Sequence, residues 1–152
     1  MEWKIAFNMR SHAIEKAFPD LVTSGYKISS PRDYHYNCIA WAAKNDAKWW
    51  WPDPQNIGFW PAEVPREVTL ECFISAFESL GFSICDSQDF EEGYEKIAIF
   101  TDSRDIPTHA ARQLSSGKWT SKLGRLEDIE HELMGVAGVA YGKISVLLRR
   151  PI

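Results

Sequence analysis

Cys38 stands where a cysteine could do chemistry. It follows Asn37, a good helix N-cap, at the head of the alanine-rich stretch Cys38-Ile39-Ala40-Trp41-Ala42-Ala43-Lys44, which favours helix. Unpaired backbone N–H groups and the positive end of the helix dipole meet at such a position. Both favour thiolate over thiol, and the same N–H groups could hold an oxyanion. Against this stands the plain alternative of a buried structural cysteine. Cys72 lies beside the apolar stripe of a later helix and Cys85 in a strand, so both read as packing residues.

A thiol nucleophile needs a base, and His109 opens a strand directly after Pro107-Thr108. The other histidines read differently. His12 belongs to the surface of a first helix. His35, three residues before Cys38, would line the site from a loop. His131 sits in the acidic run Glu127-Asp128-Ile129-Glu130-His131-Glu132. On a helix over 127–134, Asp128 and His131 would share a face and support the neighbouring strand. Cys38, His35, His109 and His131 have no closed zinc-ligand spacing, so neither a metal nor another cofactor is expected.

The elements that must position these residues follow from pattern. Ser11 caps a short helix stopped by Pro19. Residues 24–33 read as a loop. Leu70, Phe73, Ile74, Phe77 and Leu80 mark one face of a helix over 69–80, closed by Gly81. Strands are expected over 82–85, 95–101, 109–114, 118–122 and 141–149, with a hairpin turn at Ser115-Ser116-Gly117. Helices first, then strands with short connections, predict an α+β domain with a mostly antiparallel sheet.

The chain has 152 residues, the length of one domain, with 45% hydrophobic and 25% charged residues. Its net charge of −4 disfavours nucleic acid as a partner. No apolar run is long enough for a signal peptide or a membrane anchor. Three cysteines without a CxxC pair suggest a reducing compartment. A cytoplasmic protein is the expectation, with export lacking a cleavable signal as the alternative.

The order of these motifs resembles the NlpC/P60-type branch of papain-like cysteine hydrolases. There a cysteine at a helix N-terminus meets a histidine at a strand start, and a hairpin carries a third polar residue. Here Asn37-Cys38-Ile39-Ala40-Trp41-Ala42 is followed by Thr108-His109-Ala110-Ala111, the turn, Lys118-Trp119 and Thr120-Ser121. The third position falls on Ser121, where the family usually has histidine, asparagine or glutamine; Gln113 or Asp128 could orient the ring instead. The family's aspartate before the cysteine is Asn37 here, and its Ser-Gly is Ile39-Ala40. Tyr36 or Tyr26 takes the place of the family's upstream tyrosine. The same strings, with Trp119-Thr120-Ser121-Lys122-Leu123-Gly124, also look like an uncharacterised bacterial domain family. The resemblance covers roughly residues 26–150 and, with the length of one domain, implies a single papain-like α+β domain over residues 1–152.

Four of seven tryptophans, Trp49, Trp50, Trp51 and Trp60, fall just after the Cys38 helix, interleaved with prolines. With Trp41 and Trp119 they could wall a cleft and offer flat apolar surface to a peptide, an acyl chain or a sugar; packing against the core is the slightly favoured alternative. The partner expected is a peptide-like, amide or acyl substrate, or another protein. Lys122 could bind a substrate carboxylate or pair with Asp128 or Glu127. The reading is thus a cysteine hydrolase of amidase or peptidase type, with Cys38 as nucleophile and His109 as base. An inactive binding or immunity-type module, or a transferase on the same fold, is the alternative.

Overall fold

The computed structural model describes residues 10–152; the reading of the first nine lies outside the described residues. Two short helices come first among the described residues, α1 (His12–Ala17) and α2 (Asp20–Ser24). Ser11 caps α1 by accepting from the Ile14 N–H at 3.3 Å. Strand β1 (Tyr26–Ser30) follows, then α3 (Cys38–Ala42) and α4 (Leu70–Glu78). The remaining strands are β2 (Ser83–Cys85), β3 (Tyr94–Thr101), β4 (Pro107–Gln113), β5 (Trp119–Lys122), β6 (Asp128–His131) and β7 (Lys143–Pro151). They form one antiparallel sheet in the order β1-β6-β5-β4-β3-β7-β2. The α+β class and the antiparallel sheet are therefore as expected.

Two segments differ from expectation. Residues 24–33 contain an edge strand as well as a loop, because β1 finds a partner in β6. Residues 127–134 are not a helix. Asp128–His131 is a strand and Leu133–Val136 a single 3-10 turn. Pairing with β5 and β1 on both sides supplies hydrogen bonds that outweigh the weak helical pattern of the acidic run.

Each face of the sheet has its own core. On one face Ile97, Ile99, Ala110 and Leu148 pack against Cys38, Ile39 and Ala42 of α3 and Phe73 and Phe77 of α4. On the other, Ala98, Phe100, Ala111 and Ile129 pack against Ile14 and Phe18 of the α1 region, Leu21 of α2 and Leu133. Alternation along β4 assigns Ala110 to the first face and its neighbours His109 and Ala111 to the second. β4 pairs with β5 at only two positions, Arg112↔Thr120 and Gln113↔Trp119, so the two strands separate toward His109.

The tryptophans fill the first core. Trp50 and Trp60 are buried, and both Trp51 and Trp60 pack on Phe73 of α4. Trp60 also donates its indole N–H to the Pro65 carbonyl at 3.0 Å. Trp51 and Trp60, candidates for lining the site, pack against α4 in the same core as Cys38, as burial of large rings beside prolines favours. Trp119 is buried in the other core.

Candidate functional site

Asn37 does three jobs at the head of α3. Its Oδ1 accepts from the Ala40 N–H at 3.2 Å, which caps the helix. The same oxygen accepts from the Trp50 N–H at 3.0 Å, and its Nδ2 donates to the Trp50 carbonyl at 2.7 Å. The tryptophan-rich loop is thereby tied to the residue before Cys38. Trp41 anchors the next turn, donating its indole N–H to Thr120 Oγ1 on β5 at 3.0 Å.

Cys38 is 8% exposed and belongs to the first core. Burial pushes its thiol up to about 11, although the backbone N–H groups of Ala110, Ile39 and Cys38 and the charge of Lys122 pull the other way. The depressed value expected from the helix start does not hold in this state. α3 is only five residues long, and desolvation of the sulfur outweighs its few N–H groups.

His109 is fully buried, and burial drives it well below the ordinary histidine value. Its ring lies between Phe100, 5.4 Å away between centroids, and Tyr141, which stacks on it at 3.9 Å with 4° between the planes. Tyr141 is carried by a short loop whose ends, Gly138 and Gly142, bond each other's backbone in both directions. Gly142 has φ +83°, and a Cβ there would meet the Thr101 carbonyl oxygen at 2.0 Å. Only glycine lets the loop close this tightly over the imidazole.

The hydrogen bonds of His109 fix its tautomer. His131 Nδ1 lies 2.7 Å from the Glu132 backbone carbonyl, which can only accept, so Nδ1 carries the proton. Nε2 of the neutral ring then accepts, and Ser121 Oγ donates to it at 2.7 Å. Ser121 Oγ in turn accepts from His109 Nε2 at 2.9 Å. His109 therefore carries its proton on Nε2 and a lone pair on Nδ1, and Nδ1 has no hydrogen-bond partner among the described residues. A buried imidazole with one nitrogen held and the other bare is an oriented base.

No hydrogen bond joins the thiol to this base, and Cys38 belongs to the first core while the His109 side chain turns toward the second. The sulfur is reached by the N–H of Ala110, the residue after His109. The Tyr141 phenol stacked on His109 is pushed up mainly by burial and further by the charge of Cys38.

The remaining candidates fall into three groups. Ser121 and His131 join the base as described. Tyr36, Lys122 and Asp128 form a second buried cluster near Cys38. The Tyr36 hydroxyl donates to Asp128 Oδ2 at 2.6 Å, and Ser30 donates to the same oxygen. Lys122 makes no ion pair with Asp128 or Glu127; it donates to the Leu126 carbonyl at 2.6 Å and lies over the Tyr36 ring. Burial raises Asp128 and lowers Lys122. The expected Asp128–His131 pair is corrected, because i and i+3 on a strand point to opposite faces. Asp128 consequently does not orient His109.

His35, Gln113 and Trp119 lie outside the site. The His35 side chain is 83% exposed and pairs with Asp33 at 2.7 Å. Gln113 braces the hairpin by donating to the Gln88 and Gly117 carbonyls. Trp119 packs in the second core. Tyr141 was missed by sequence reasoning; the Gly138-x-x-Tyr141-Gly142 pattern was its one signal.

No group of three or more His, Cys, Asp or Glu that could hold a metal ion occurs among the described residues. No described helix is long and apolar enough to cross a membrane. A cavity of about 650 Å³ lies between the start of α4 and β7, and one of about 430 Å³ lies beside His131. Neither is lined by Cys38 or His109.

No curated protein and no solved structure matches the chain. One family model matches residues 27–149, from β1 through nearly all of β7, and so takes in Cys38, His109, Ser121, His131 and Tyr141. On that match the chain belongs to the family described as a domain of unknown function, DUF7689.

Proposed function

We propose that the protein is a papain-like thiol hydrolase or acyl transferase of NlpC/P60 type, acting on an amide, isopeptide or thioester carbonyl. The observation that carries this reading is the bare Nδ1 of a fully buried His109 whose Nε2 is held by Ser121. A purely structural histidine in a core has both nitrogens paired, because an unpaired buried acceptor costs about 1–3 kcal/mol. His109 directly precedes Ala110, whose N–H meets the Cys38 sulfur, and this connection supports proton transfer from the thiol.

In this reading Cys38 Sγ loses its proton to His109 Nδ1 and attacks the carbonyl. The tetrahedral intermediate collapses to a thioester, and His109 returns the proton to the leaving amine or thiol. Water, amine or alcohol then resolves the thioester. Thiol and imidazole are both neutral at rest, so the ion pair forms only as the reaction starts. The substrate reaches them by displacing the cover formed by Tyr141.

A binding module without catalysis is the second reading, favoured by the burial of Cys38 and its raised thiol. Incubation with p-nitrophenyl acetate and mass spectrometry of peptides separates the two. The hydrolase reading expects an acetyl thioester on Cys38, absent in Cys38→Ser and strongly reduced in His109→Ala. Acetylation confined to Cys85 and surface lysines sinks it.

A further inference from the structure

The chain of hydrogen bonds behind His109 ends on a second imidazole, not on a carboxylate or an amide. We propose that His131 stores the proton of this site. When His109 takes the Cys38 proton at Nδ1, the Nε2 proton passes to Ser121 Oγ, and the Ser121 hydroxyl proton passes to His131 Nε2. The proposal rests on the Cys38–His109 reading given above.

The proton count is closed. At rest the three side chains hold three protons, on His109 Nε2, Ser121 Oγ and His131 Nδ1. A fourth, delivered by the thiol, leaves His109 neutral with its proton on Nδ1. Ser121 then donates to His109 Nε2, and His131 carries the charge with both nitrogens protonated. The two hydrogen bonds to Ser121 Oγ survive with their directions reversed and the bond from His131 Nδ1 to the Glu132 carbonyl stays as it is, so no heavy atom has to move. The serine at this position thus extends the site by one residue.

The charge is better placed on His131 than on His109. His109 packs against Phe100 and Tyr141, and no carboxylate among the described residues pairs with it. His131 donates to the Glu132 carbonyl, and the Glu132 charge favours its protonated form. The cavity of about 430 Å³ beside His131 is lined also by Tyr26 and Lys27 of β1, Lys118 and Glu130. Of the groups facing His131, the two lysines disfavour its charge; Lys118 is paired with Glu132 at 2.9 Å, and Lys27 with Glu130 at 3.9 Å. Burial alone would hold His131 neutral, and it lowers it to about 4 at rest. His131 thus connects a site closed around Cys38 to a surface cavity on the opposite face.

Nitrogen-15 NMR of histidine-labelled protein tests the store without substrate. At neutral pH, His109 is expected with a proton on Nε2 alone and His131 with one on Nδ1 alone. On acidification the first proton should appear on His131, and His109 should switch to Nδ1–H in the same step while staying neutral. Titration of His109 to the cation first, or of His131 without the switch, overturns the proposal. A second measurement needs no acid: acetylation of Cys38 by p-nitrophenyl acetate in His131→Gln. Glutamine can still accept from Ser121, so the His109 tautomer is kept, but it cannot take a proton. A rate about 100-fold lower is expected, the lower end of general-base contributions. A wild-type rate with the tautomer kept means that His131 is only structural. The tautomer switch observed with no acetylation of Cys38 retains the proton store and removes the nucleophile.

Discussion

Strands β5 and β6 carry two buried polar clusters, one on each face, and the two are built to opposite plans. Ser121 and His131 turn toward the second core, while their neighbours Lys122 and Asp128 turn toward the first. The Ser121–His131 chain is uncharged at rest and directional; each bonded ring nitrogen has one partner, Ser121 Oγ joins two, and the chain ends at a bare nitrogen. The Asp128 cluster is branched: Tyr36 and Ser30 both donate to Oδ2, and Oδ1 has no partner among the described residues. A linear chain fixes a tautomer and can pass a proton. A branched one ties segments together, here β1 and the loop leading into Cys38 to β6. The contrast separates a chemical device from a brace within four residues of sequence on each strand.

Cutting the chain at its middle should have the largest effect. Ser121→Ala leaves His109 Nε2–H without an acceptor and frees the tautomer. Acetylation of Cys38 is expected to fall about 100- to 10,000-fold, the span of an oriented base. Stability should fall by about 1–3 kcal/mol for each buried group left unpaired. Denaturant titration beside the acetylation rate checks both. An unchanged rate would make Ser121 a packing residue and the chain no different in kind from the Asp128 brace.

The sequence carried Cys38, His109 and Ser121 as candidates but not the place of His131 behind them. Cys38 and His109 were legible because an N-cap and a proline-led strand start are local signals. The resemblance pointed to Ser121 but implied a lone serine. His131 was read on a helix, since acidic residues at i, i+3 and i+4 mimic a helical face while strand pairing is non-local. The raised thiol was hidden for a related reason: desolvation of Cys38 depends on β4, which is about 70 residues away in sequence. The tryptophans were legible as a rigid segment, but which wall they formed depended on α4.

Acid should act on the two clusters with opposite signs. Burial lowers His109 and His131 in the folded state, so the unfolded chain binds more protons as pH falls below about 6.5. Stability from neutral His131 is present above 6.5 and lost as pH falls through about 4, a swing of ~3 kcal/mol at most. Asp128 is raised by burial, so folding favours its protonated form. Its contribution is present at low pH and lost as pH rises through its folded value. His131→Gln should therefore flatten the acid limb of a denaturation profile. An acid limb of wild-type slope in His131→Gln would place the acid sensitivity elsewhere.

Removing the charge from the brace should do less to chemistry than removing one atom from the chain. Asp128→Asn keeps an oxygen for Tyr36 and Ser30 but adds two N–H donors where Oδ1 lies unpartnered. A stability loss of about 1–2 kcal/mol is expected, with acetylation of Cys38 changed less than about threefold. A loss comparable to that of Ser121→Ala would mean that the carboxylate acts on the thiol through Lys122, whose charge reaches Cys38.

The smallest effect should come from the link between the Cys38 helix and β5. Trp41→Phe keeps a ring against Tyr36 and beneath Arg112, smaller than the indole, and removes the indole N–H bond to Thr120 Oγ1. A net hydrogen bond contributes about 0.5–1.5 kcal/mol. Asn37 still caps the helix and holds Trp50, so Cys38 keeps its place and the acetylation rate should stay within about twofold. Thr120 is on the same strand as Ser121 but faces the other way, and its hydroxyl is not part of the proton chain. If the variant instead loses acetylation without losing stability, the helix end near Trp41 sets the approach of sulfur to imidazole, and the site depends on both faces of β5.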